Sequence, residues 1–145
     1  MTQRRFPAVV PVVPEAVSWA VAQADDAGLP EARGLDVKLA VEEALLNVCI
    51  HAYGTGGGDL TLRTERTGEG FVVEIEDSGS PFDPLSVAAP DTSAPLESRE
   101  VGGLGILLVR RVTDLVRWRR EAGRNVLTLV FASPQPPEEE AEAGP

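Results

Sequence analysis

Wound onto a helix at ~100° per residue, Val37, Val41, Leu45, Val48 and Ala52 fall on one face, and Asp36, Glu43, Asn47 and His51 gather roughly opposite. The pattern predicts a long helix from about Gly34 to Tyr53, closed by Gly54 and the loop GTGGG. Before it, Pro14 suits a first helical turn, and Gly28 with Pro30 stops a helix at about Ala27. RRFPAVVPVV reads as an opening strand, kept toward a sheet edge by Pro7 and Pro11. After the long helix, DLTLRTERT and GFVVEIED alternate apolar and polar residues around GEG, as in a β-hairpin or meander. From Ser78 to Val101 no period persists, and a connection of that length is a functional lid or disordered. GGLGILLVRR then opens a third helix to about Asp114, and LVRWRREA and RNVLTLVFAS close the pattern as strands flanking Gly123.

These elements predict an α+β fold: a two-layer α/β sandwich whose mixed, mostly antiparallel sheet is covered on one face by about three helices. The 145 residues, 43% hydrophobic and 25% charged, suit one core. Residues 1–132 are expected to form the domain, and 133–145, with Glu138, Glu139, Glu140 and Glu142, a disordered acidic tail. A net charge of -10 argues against direct nucleic-acid binding. No apolar run approaches a membrane span, nothing resembles a signal peptide, and Cys49 reads as a small core residue in a reducing compartment. Cytoplasm is the expected location. The basic cluster Arg110, Arg111, Arg117, Arg119, Arg120 and Arg124 is either a solvated surface or a docking face for an acidic partner.

Three stretches carry candidate chemistry. Glu43 and Asn47 lie one helical turn apart and are neighbours. Leu46 and Ile50 beside them suggest that this polar stripe is partly covered rather than simply solvent-facing. A covered carboxylate beside a carboxamide could hold a cation such as Mg²⁺, which takes few protein oxygens, or deprotonate a hydroxyl. His51 reads as structural and Glu42 as a surface charge. Asp77 ends a strand two residues before Gly79, where it could accept a hydrogen bond from a ligand or simply make a turn. Phe82 is expected to anchor the start of the lid, and Asp83 to cap a turn. The glycines of GGLGILLVRR open a helix whose free N–H groups and positive end suit a phosphate; a tight turn before a core helix is the alternative.

Those stretches in that order resemble the GHKL-type (Bergerat) ATP-binding domain of gyrase-like ATPases, Hsp90 and histidine kinases. More narrowly, they resemble the stand-alone anti-sigma-factor serine/threonine kinases of bacteria. VEEALLNVCIHAY resembles that family's N-box, DSGSPFDP its first glycine box and GGLGILLVRR its second, and the likeness covers roughly Val9 to Phe131. It implies that Asn47 coordinates Mg²⁺ on the ATP phosphates, that Glu43 is the general base, and that Asp77 takes the adenine amino group while Gly79 leaves room for the base. Gly103 and Gly105, with Leu104 between them, would meet the phosphates. Thr128 would lie near adenine, and Arg99 is the candidate for the terminal phosphate. Pro81 stands where the wider superfamily often has glycine, and in this the chain resembles the serine-kinase branch, which has the SPFDP form. Neither a G-x-x-x-x-G-K-[ST] loop nor a eukaryotic kinase signature is present.

The implied function is an ATP- and Mg-dependent serine kinase that phosphorylates an anti-sigma-antagonist protein of the STAS type and sequesters a sigma factor. Homodimers are common in the resembled family. The alternative is an ATP-gated protein-binding module without phosphotransfer.

Overall fold

The computed structural model describes residues 1–53, 57–86 and 101–132, the last beginning with Val101–Leu104 as backbone alone. Five strands and three helices follow in order: β1 (Thr2–Pro7), α1 (Val13–Asp26), α2 (Glu31–Asn47), β2 (Asp59–Thr67), β3 (Gly70–Asp77), α3 (Val101–Val112), β4 (Leu115–Glu121) and β5 (Arg124–Phe131). The sheet order is β1-β2-β3-β5-β4. Every pairing is antiparallel, so among the described strands the sheet is not mixed.

The helices cover one face. Strand side chains alternate between faces, and Leu60, Leu62, Phe71, Val73, Ile75, Leu127, Leu129 and Phe131 turn toward the helices to form the core. The predicted apolar stripe of α2 meets them: Val37, Val41, Leu45, Val48 and Ala52 are all buried. Ala16, Ala20 and Ala24 of α1 and Ala40 and Ala44 of α2 are buried beside them. Residues this small let the two helix backbones and the sheet approach closely.

The opening strand is shorter than expected. Pro7 has no N–H to continue the ladder, and Val10–Val12 turns as a 3-10 helix with Pro11 in its first turn, leading into α1. The long helix starts at Glu31, directly after Pro30, rather than at Gly34, because proline fits just ahead of a first turn. At its other end the α-helix stops at Asn47, and Val48–Ala52 widens into a π-helical turn. Gly28, at φ 88°, supplies the left-handed residue that ends α1, and Arg66 donates to the Ala27 carbonyl there. Arg33 ties α2 to the end of α3: it pairs with Asp36 at 2.6 Å and with Asp114, and its guanidinium lies 5.5 Å above the Phe131 ring.

Candidate functional site

The site is assembled where the end of α2, the end of β3 and the start of β5 converge. Asp77 closes β3 and is only 4% exposed. Its Oδ1 accepts two hydrogen bonds, from the Gly79 amide at 2.9 Å and from Asn125 Nδ2 at 2.9 Å. Asn125, equally buried, also donates to the Ser80 carbonyl at 2.8 Å and accepts from the Phe82 amide at 3.2 Å. One carboxamide therefore fixes both the carboxylate and the loop after it, and Oδ2 of Asp77 carries no side-chain or backbone donor among the described residues. Asp77, Asn125 and Asn47 line a cavity of about 20 Å³ with Phe82, Trp118 and Leu127. A shallow groove of about 1090 Å³ along α1 and the start of α2 contains none of these residues.

The loop Ser78–Phe82 is braced from three further directions. Ser80 donates its amide to the Ala52 carbonyl at 2.8 Å, and Arg120 Nη1 donates to the Gly79 carbonyl at 2.8 Å. Tyr53 Oη accepts from the Ser78 amide at 2.8 Å and donates to the Asp59 carbonyl at 2.6 Å. Gly79 has a different justification from the expected one. A methyl group there would come within 2.0 Å of the Ala52 carbonyl oxygen, so the room it leaves is filled by the end of the long helix and not by a ligand. His51 stacks on Phe82 with ring centroids 4.9 Å apart, and Asp83 accepts from the Leu85 amide at 2.8 Å to cap the 3-10 turn Pro84–Ser86.

The polar stripe of α2 divides. Asp36 belongs to the Arg33 cluster, and His51 is exposed. Glu43 and Asn47 are half-buried, while Ile50, expected to help cover the stripe, is 60% exposed. Glu43 packs against α3: a methyl group on Gly105 would lie 2.4 Å from Glu43 Oε1. Burial first, and the neighbouring Glu42 charge second, push the Glu43 carboxyl above its ordinary 4.5. A carboxylate tuned upward is a stronger base at neutral pH.

Two expected positions stand apart from the groups they were expected to join. Thr128 does not share Asp77's side of the sheet. Asp77 pairs with Asn125, and Thr128 pairs with Glu74 on β3 and Arg117 on β4. Alternation therefore puts Asn125 and Leu127 on the helix-facing side and Thr128 on the other. The residue of β5 beside Asp77 is Asn125, which the sequence reading passed over. Register was the missing information, since one step along a strand exchanges the faces; the available signal was an asparagine opening an otherwise apolar strand. Gly105 stands apart as well. With α3 starting at Val101, the free amides of the first turn extend only to Gly103. Gly105 lies past them, and what it accommodates is Glu43. Gly103 and Leu104 are helical, and Arg99 lies outside the described residues.

The basic cluster is largely committed to local partners. Arg110 donates to the Leu85 carbonyl at 3.3 Å, Arg119 pairs with Glu121 at 2.6 Å, and Arg124 with Glu76 at 2.8 Å. Arg63 bridges Glu74 and Glu76 on the open face of the sheet. Burial alone would raise the Glu76 carboxyl, but hydrogen bonds and charge from Arg63, with those of Arg124, outweigh it and hold it below the usual range.

Among the described residues no three His, Cys, Asp or Glu side chains cluster to hold a metal. The donor set at Asn47 fits a cation that keeps water and phosphate oxygens and takes one neutral protein oxygen. No described helix is long and apolar enough to cross a membrane.

This antiparallel sheet with overlying helices has its counterpart among known proteins. Residues 6–131 match the histidine kinase-like ATPase domain, and the chain belongs to that family. Its relatives include the serine/threonine-protein kinase BtrW of Bordetella bronchiseptica, 33% identical over 98 residues, 66% of this chain and 68% of that protein. The serine-protein kinase RsbW of Halalkalibacterium halodurans is 33% identical over 92 residues, 61% of this chain and 56% of that protein. Within the family the chain groups with protein-serine/threonine kinases, and ATP is the family's nucleotide. The fold also matches about a third of the crystal structure of the RsbU and RsbW domains of Rv1364c from Mycobacterium tuberculosis, with a TM-score of 0.64 at 15% identity, over 94% of this chain and 34% of that one.

Proposed function

We propose that this chain is an ATP- and Mg-dependent serine kinase that phosphorylates a small anti-sigma-antagonist protein of the STAS type and holds a sigma factor inactive. The observation that carries the reading is Glu43: a half-buried carboxylate, one turn before Asn47 and against Gly105, with its affinity for a proton raised by burial. A module that only bound nucleotide would have no use for a base tuned in this way. Asp77 supplies an acceptor for the amino group of adenine, and its second oxygen is kept in place by Gly79 and Asn125. Asn47 would hold Mg²⁺ together with the phosphates, and the bound ion would offset phosphate charge. Gly103, in the first turn of α3, would offer its amide to a phosphate, with Leu104 beside it, and Arg99 would reach the terminal phosphate. Glu43 would accept the proton of the attacking serine hydroxyl. Phosphoryl transfer then depends on positioning and charge.

The test is calorimetric titration with ATP, with and without Mg²⁺, followed by incubation with γ-labelled ATP and a purified STAS-domain protein. Magnesium-dependent binding and label on a serine of the added protein are expected. ATP binding with no transfer to any such protein, and a partner affinity that changes with ATP, would replace the kinase by an ATP-gated binding module. Failure to bind ATP would remove both.

A further inference from the structure

Trp118 stands on the helix-facing side of β4, paired in register with Leu127 of β5. It packs against the core and lines the 20 Å³ cavity together with Asp77, Asn125 and Asn47. Its indole nitrogen is fully buried and has no hydrogen-bond partner among the described residues. An N–H left in that state costs about 1–3 kcal/mol, and folded proteins rarely leave one without a protein, water or ligand acceptor. A cavity of this volume has room for a single water.

The other polar groups of the cavity narrow what the indole can serve. Both described donations of the Asn125 amide are internal, to Asp77 and to Ser80, and its oxygen is taken by Phe82. Asp77 Oδ1 is likewise occupied by two donors. Asn47 is given to the phosphate end by the ATP reading, and what remains is an acceptor, Asp77 Oδ2, and a donor, the Trp118 N–H, on two residues that line the same small cavity. An acceptor beside a donor complements the edge of adenine, where the 6-amino group donates and N1 accepts. Guanine presents the reverse, with O6 accepting and N1–H donating.

We propose that Trp118 is a base-specificity residue, its indole N–H supplying, across no more than one water, the hydrogen bond to adenine N1 beside the amino group taken by Asp77. The proposal rests on the ATP reading above and adds to it a second contact that distinguishes the base.

The test uses the full chain and two nucleotides: ATP, and 1-deaza-ATP, in which N1 is replaced by C–H. Wild type and Trp118→Phe are titrated with each by calorimetry, with melting temperatures recorded alongside. Wild type is expected to bind 1-deaza-ATP about tenfold more weakly than ATP. Trp118→Phe is expected to lose about tenfold in ATP affinity and less than twofold for 1-deaza-ATP. Equal losses for both nucleotides would mark Trp118 as a packing residue only and overturn the proposal. So would wild-type protein that binds the two nucleotides equally, a result that needs no variant to fold. Either outcome leaves ATP binding standing, whereas wild type that binds neither nucleotide overturns the ATP reading along with this one.

Discussion

Asn125 Nδ2 donates to Asp77 Oδ1 at 2.9 Å across two directly paired strands, with both residues 4% exposed. A carboxylate this deep could turn either oxygen outward. The pairing, with the Gly79 amide on the same oxygen, decides which one is turned to the cavity. Asn125 is thus a positioning residue, acting on a ligand through Asp77. Asn125→Ala is expected to cost about 2–3 kcal/mol of stability, since it strips partners from Asp77 and from two groups of the loop. It should also lower ATP affinity about tenfold, as a carboxylate held by the Gly79 amide alone is freer to rotate. Urea unfolding and calorimetry check the two effects; a stability loss with unchanged ATP affinity would reduce Asn125 to a structural brace.

The turn between β4 and β5 carries a correctable strain. Ala122 has φ 53° and Gly123 φ 78°, the two positive values that a two-residue hairpin of type I′ demands. Glycine tolerates this at no steric cost, but alanine does not. Ala122→Asn is expected to add about 1 kcal/mol of stability and to raise the melting temperature by about 3 °C. Thermal unfolding followed by circular dichroism measures it, and a fall would mean that the turn's geometry is not the source of strain.

Much of this layout was legible because hydrophobic period encodes burial directly. β2 and β3 begin and end where their alternating runs do, and all five positions of the predicted stripe, Val37, Val41, Leu45, Val48 and Ala52, are buried. Asp77, Gly79 and the Glu43–Asn47 pair stood out because a polar residue inside an apolar pattern needs a reason. What stayed hidden depends on geometry between distant segments. The face of Thr128 follows from β3–β5 register, which no local pattern fixes. The π turn after Asn47 lies inside a run whose residues are ordinary helix formers. Trp118 lies in the run LVRWRREA, where nothing local marks its N–H as buried. Gly79 looked like room for a ligand and Gly105 like part of a phosphate cradle, although the atoms beside them belong to the chain itself.

Those two glycines predict opposite behaviour. Gly79→Ala would drive a methyl group to 2.0 Å from the backbone oxygen of Ala52, which cannot rotate aside. About 3 kcal/mol of destabilisation is expected, together with loss of ATP binding as the Asp77 loop shifts. Gly105→Ala meets only the flexible end of Glu43, at 2.4 Å. The better helix propensity of alanine, worth about 1 kcal/mol, should offset that contact and leave stability within about 1 kcal/mol of wild type. Its effect should instead appear in phosphoryl transfer, because Glu43 must move. Unfolding and single-turnover labelling on both variants decide; matching stability losses would show that the Glu43 contact is as rigid as the Ala52 one.

Glu43 offers the sharpest separation of stability from chemistry. Its folded carboxyl sits above 4.5, from burial first and Glu42 second. A carboxyl raised on folding takes up a proton as the chain folds. Its favourable contribution is therefore complete below the unfolded value and is lost as pH rises through the folded one. At neutral pH the ionised group is a burden on the fold, and glutamine, which does not titrate, is free of it. Glu43→Gln is expected to be at least as stable as wild type at pH 7, with the advantage shrinking as pH falls toward 4.5. Phosphoryl transfer should fall at least about 100-fold at pH 7, because glutamine accepts no proton, and the deficit should narrow at low pH, where Glu43 itself is protonated, while ATP affinity changes little. In the wild type, transfer should weaken as pH drops through the raised value of Glu43. Urea unfolding across that range, calorimetry and single-turnover labelling measure the three quantities. Retained transfer in Glu43→Gln would take the base away from Glu43 and leave its contact with Gly105 a matter of packing.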